Sequence, residues 1–94
     1  GGVVGGDDPA GQARYALDKI AGALTPLGGR LEDVVRTRGY GSNMMHWEAV
    51  ARVHGEYFGT IRPVNTLVEA RLVGPEYLVE IEAEAIVGAG EALP

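Results

Sequence analysis

The sequence predicts an α+β domain, and three observations carry that expectation. Two stretches repeat apolar residues every three to four positions, the stretch VEIEAEA near the C-terminus alternates apolar with acidic residues, and the elements run helix, strand, helix, strand, strand. Such an order sets both helices on one face of a mixed sheet. At 94 residues the chain forms one domain, 1–94, with one modest core and no room for a second.

The first helix begins near Asp8, where Asp7 and Asp8 offer cap oxygens to otherwise unpaired backbone N–H groups and Pro9 suits the first turn. Its stripe is Ala13, Ala16, Leu17, Ile20, Leu24 and Leu27. Pro26 brings no N–H and pushes Thr25 out of α geometry, so the regular helix is expected to stop or kink near Leu24, with Gly28 and Gly29 completing the exit. Residues 33–40, DVVRTRGY, have the period of a strand, with Arg36 and Arg38 on one face. Gly39 and Gly41 mark a bulge or a close approach.

Ser42 or Asn43 can cap the second helix, whose stripe is Trp47, Val50, Ala51, His54, Tyr57 and Phe58 and whose end is Gly59. Trp47, Tyr57 and Phe58 are expected in the core, and Met44 and Met45 are expected to fill gaps. A turn through Arg62 and Pro63 leads to a strand over 65–73, and Gly74-Pro75 punctuates before a strand over 77–87. In that last strand Val79, Ile81, Ala83 and Ala85 point to the helices while Glu80, Glu82 and Glu84 line the other face. Arg36, Arg38 and Arg71 are expected to relieve these carboxylates, at roughly 0.2–1 kcal/mol for each cross-strand pair.

Composition excludes several function classes. A net charge of −5 with a single lysine, Lys19, argues against a protein that grips nucleic acid through phosphates. The chain has no cysteine for a thiolate nucleophile or metal ligand, and His46 and His54 stand eight apart without a partner at metal-ligand spacing. GGVVGG lacks the lysine and hydroxyl of a phosphate loop, so no cofactor is expected. No apolar run approaches the ~20 residues of a membrane span and no signal-peptide pattern opens the chain, so a cytoplasmic protein without a membrane partner is expected. His54 reads as a buried or interface histidine satisfied by one hydrogen bond.

From Gln12 to Val87 the chain resembles the YjgF/RidA family, also called reactive intermediate deaminase or L-PSP endoribonuclease-like. The pieces that carry the resemblance are GQARYALDKI, LEDVVRTRGY, WEAVARVHGEYFG, IRPVNTLVEARL and PEYLVEIEAEAIV. The resemblance implies a chorismate-mutase-like α+β fold whose homotrimers pack their sheets into a central barrel, with small-molecule sites in the clefts between subunits. It further implies hydrolysis of reactive enamines and imines, such as 2-aminoacrylate and 2-iminopropanoate, to the keto acid and ammonia. In that chemistry an arginine binds the substrate carboxylate while a carboxylate helps to place the attacking water.

By the same resemblance Glu80 matches the family glutamate, as a site residue or as part of the sheet-face charge network. The signature arginine is replaced by Asn65 or, in the other alignment, by Val64. Asn65, Thr66 and Arg62, which can reach the cleft from the preceding turn, are the candidate substrate-binding residues. Two further departures stand out: Ala51 replaces an asparagine common in deaminases, and the family's first two strands have no counterpart before Gly1. Either the sequence is a fragment of a longer chain or the sheet has fewer strands. A RidA-like imine or enamine deaminase is the first reading, with ordinary 2-imino acid activity doubtful. A non-catalytic trimer that binds a small metabolite or a protein is the second, and an enzyme for a substrate without a carboxylate is the third.

Overall fold

In the computed structural model, which describes residues 8–91, α1 (Pro9–Leu24) is followed by β1 (Val34–Gly41), α2 (Trp47–Phe58), β2 (Val64–Glu69) and β3 (Val79–Ala85). This is the expected α+β order. The start GGVVGG and the cap candidate Asp7 lie outside the described residues.

Asp8 caps α1 by accepting from the N–H of Ala10, and Pro9 occupies the first helical position. The regular helix stops at Leu24 and tightens into a 3₁₀ turn over Thr25–Leu27. Gly28 then takes a left-handed φ of 81°, and the N–H of Gly29 closes the end on Leu24 O at 2.9 Å. Ala13 and Leu17 of the expected stripe are buried and Ile20 and Leu24 pack against them, but Leu27 is 70% exposed because the 3₁₀ turn rotates it off the stripe.

The sheet has the order β2-β1-β3. β1 and β2 run parallel, a pairing that requires a crossover, and α2 supplies it; β3 returns antiparallel to β1. The register steps between Val34 and Arg36, which places the bulge at Val35 and not at a glycine. Gly39 serves the close approach: a Cβ there would stand 3.1 Å from Leu67 Cδ1.

Both helices lie over the same face. Val34, Val50, Val53, Phe58 and Val79 complete the core around Ala13 and Leu17. Val53 was not on the expected stripe of α2, whereas Trp47 is 51% exposed. The reason is local. Asn43 accepts from Met45 N at 2.8 Å and caps a 3₁₀ turn, Met44–His46, ahead of the helix, so α2 starts at Trp47 with that side chain at its rim. Met45 fills no gap, being 85% exposed. Arg14 forms a bidentate pair with Glu56, and Tyr57 Oη donates to Asp18 at 2.6 Å, so the two helices are also joined at the surface.

The two C-terminal strands are shorter than expected. β2 ends at Glu69 and not at residue 73, and β3 starts at Val79 and not at residue 77. Arg71 therefore lies beyond the sheet, and among the described residues the cross-strand relief of Glu82 and Glu84 comes from β1. Arg36 pairs with Glu84, Arg38 stands 4.0 Å from Glu82, and Tyr40 Oη donates to Glu82 at 2.7 Å. These groups are exposed, and pairs of this kind contribute about 0–1 kcal/mol each.

Candidate functional site

The pleat divides the candidate residues between two faces. Thr37 is 1% exposed and points at α2, and its register partner across the parallel ladder is Asn65. Thr66, the next residue, is paired with Arg38 and shares the polar face. Glu80 is paired with Tyr40 on β3 and shares that face with Glu82 and Glu84. Asn65 and Glu80 thus sit on opposite edge strands with β1 between them, two strand spacings across and, from Thr37 to Tyr40, three residues along, and on opposite faces.

On the helix side, three polar side chains meet among apolar neighbours. Thr37 Oγ1 stands 2.8 Å from His54 Nε2 and donates to Asn65 Oδ1 at 2.9 Å. The cluster borders a recess of about 30 Å³ lined by Val50, Ala51, Leu67 and Ile81 together with His54, Asn65 and Gly39. Such a volume holds one water-sized group. His54 stacks at a tilt on Phe58, ring centroids 4.7 Å apart, and burial lowers its pKa below that of an ordinary histidine. The expectation of one hydrogen bond to His54 is met by Thr37, which sequence reasoning did not single out. Its signal was a lone hydroxyl at an inward position of an otherwise arginine- and glycine-bearing strand.

Arg62 is placed elsewhere. Its N–H closes α2 on Phe58 O at 3.0 Å, and at φ 54° it is the non-glycine residue in the left-handed region among those described. It borders a cleft of about 430 Å³ with Ile61, Pro63, Val64 and Glu32, and no residue of that cleft lines the Asn65 recess. Glu80 borders a third groove, of about 640 Å³, between the outer edge of β3 and α1, together with Tyr15, Lys19, Ile20 and Tyr77. Within one chain, then, the expected residues are not gathered at one point. Among the described residues no group of three or more His, Cys, Asp or Glu side chains could hold a metal, and no helix is long and apolar enough to cross a membrane.

With this geometry the comparisons agree on one kinship. The family model described as Endoribonuclease L-PSP matches residues 1–87. The chain belongs to the YjgF/RidA, or L-PSP endoribonuclease-like, family. It is 35% identical over 83 residues to the 3-aminoacrylate deaminase RutC of Acinetobacter baylyi, a match covering 88% of this chain and 66% of that protein. The chain therefore spans just under two thirds of this relative's length. A solved structure from Mycobacterium tuberculosis, described as a member of the YjgF/YER057c/UK114 family, is 51% identical and superposes with a TM-score of 0.84 over 87% of this chain and 70% of that one. A YjgF family member from Neisseria meningitidis is 28% identical, with a TM-score of 0.83 and the same coverage. Two helices on a mixed sheet are thus the family's own architecture.

Proposed function

We propose that this RidA-like protein hydrolyses a small reactive imine or enamine to the carbonyl compound and ammonia, in a cleft shared between subunits of a homotrimer. What supports the activity most is the relation to a protein named as a 3-aminoacrylate deaminase across 88% of the chain. What supports the shared cleft is the separation of Asn65 from Glu80 in one chain: both can face one substrate only if a second copy brings Glu80 to the Asn65 side. The sheet face argues the same way, since Val64 and Val68, 66% and 38% exposed, lie beside the charged ladder of Arg36, Arg38 and the three glutamates. A chorismate-mutase-like barrel of three such sheets would cover them.

In the proposed reaction the enamine first takes its imine form. A water then adds to the carbon of C=N, one of its protons passing to the Glu80 carboxylate and from there to the nitrogen, which gives the carbinolamine. Its hydroxyl proton follows by the same carboxylate to the nitrogen as the C–N bond breaks, so that ammonia leaves, the carbonyl forms and Glu80 is ionised again. Asn65 orients the substrate through its carboxamide, while Thr66, on the opposite face of the sheet, and Arg62, on a separate cleft, would contribute only from a neighbouring copy. No cofactor is required for this chemistry. An acidic chain of this composition suits a small-molecule enzyme of the cytoplasm better than a ribonuclease, which would need a basic groove.

The test is ammonia release from freshly generated small imines, 2-iminopropanoate and 2-iminopropanamide among them, by wild type and Glu80→Ala. Release above the spontaneous rate that falls about 10²-fold or more in the variant is expected. Release at the spontaneous rate from folded wild-type protein contradicts the activity, and an undiminished Glu80→Ala rate removes Glu80 from it.

A further inference from the structure

The direction of the hydrogen bonds around Thr37 fixes which atoms of Asn65 remain for a ligand. A hydroxyl has one proton. Thr37 gives it to Asn65 Oδ1, so the 2.8 Å contact to His54 has Nε2–H as donor and Thr37 Oγ1 as acceptor. The array runs one way, from His54 through Thr37 to Asn65. Asn65 Oδ1 is thereby held toward Thr37, and the two N–H bonds of Nδ2 remain for a partner. Burial favours the neutral ring of His54, and among the described residues neither Lys nor Arg lines the recess. A carboxylate brought there would lose its hydration and meet no cation, whereas an uncharged acceptor oxygen would meet an Nδ2–H donor in apolar surroundings.

We infer that the Asn65 recess takes an uncharged hydrogen-bond acceptor, a carboxamide or ketone oxygen, and not a carboxylate. The inference rests on the proposed small-imine chemistry for the kind of molecule involved, and it narrows the substrate to imines or enamines flanked by an amide or keto group. Thr37 is a positioning residue in this scheme: without its proton the Asn65 carboxamide is free to turn and offer its oxygen instead.

Binding of the matched pair 2-oxopropanamide and 2-oxopropanoate, followed through the Asn65 side-chain amide signals by NMR, tests this without any turnover. The amide is expected to bind about tenfold or more tightly than the acid. Asn65→Arg should reverse the preference, Thr37→Val should erase it, and Thr37→Ser should keep it. A general loss of structure would weaken both ligands and leave their ratio unchanged. Equal or tighter binding of the acid by wild type overturns the inference, as does failure of the amide to move the Asn65 signals. Amide preference with no ammonia release from any imine would sink the deaminase reading alone, and faster release from 2-iminopropanoate than from 2-iminopropanamide would sink the ligand class alone.

Discussion

Gln12 of α1 is clamped to Leu78 at the threshold of β3. Its Oε1 accepts from Leu78 N at 2.7 Å and from Val79 N at 3.3 Å, while its Nε2 donates to Glu76 O at 2.9 Å. One buried carboxamide thus satisfies backbone groups just ahead of β3 and at its first residue. Gln12→Ala is expected to cost about 1–3 kcal/mol, because the amides lose their acceptor in a site that water reaches poorly. Denaturant unfolding checks it, and a midpoint equal to wild type would show that solvent replaces the clamp.

Leu17 is fully buried at the centre of the core. Leu17→Ala is expected to destabilise by about 2–5 kcal/mol, the transfer loss plus the cavity. In a domain of this size that is a large share of the total stability, so the variant should melt far below wild type in calorimetry.

Asp33 is buried and accepts from three backbone N–H groups, at 2.9 Å from Gly90, 3.0 Å from Arg30 and 3.2 Å from Gly88. These bonds, that of Gly90 first and that of Arg30 next, hold its carboxyl below the ordinary aspartate value. Because the folded pKa is depressed, the stabilisation is fully present above the unfolded value and is lost as pH falls through the folded one. Melting temperature should therefore fall on acidification below about pH 4, and Asp33→Asn should lower it at neutral pH while flattening that acid limb. An acid limb of unchanged slope in the variant would assign the loss to other carboxylates.

Arg62 holds a left-handed backbone that costs a non-glycine residue roughly 1–2 kcal/mol, so Arg62→Gly should keep or raise the melting temperature by up to the equivalent of about 1 kcal/mol. The same variant should release ammonia more slowly if the shared cleft takes the guanidinium from a neighbouring copy. Unchanged release would reduce Arg62 to a turn residue.

The helix faces and the alternation of β3 were legible in the sequence because each repeats over several turns or residues. Leu17, Phe58 and Val79 fell where periodicity put them, and Arg36 met Glu84 as the alternating charges implied. What failed was set by single local events. The Asn43 cap bonds inside a 3₁₀ turn and so leaves Trp47 at the rim, and β2 stops at Glu69, whose carboxylate accepts from Met44 N at 3.2 Å. Of the site, Asn65 and Glu80 could be chosen by resemblance, but their division between opposite faces follows from the order β2-β1-β3, which no local pattern encodes. Thr37 escaped notice because its importance lies in two partners distant in sequence, His54 and Asn65.

The central claim is that Asn65 and Glu80 of different copies serve one substrate, and mixing two crippled variants tests it most directly. Asn65→Leu and Glu80→Ala proteins, each slow alone, are refolded together in equal amounts and assayed for ammonia release from a small imine. In a trimer with shared clefts about one quarter of the clefts regain both native residues, so about a quarter of wild-type activity should return. A mixture no faster than its two parents, or wild-type protein no faster than buffer, would contradict the account.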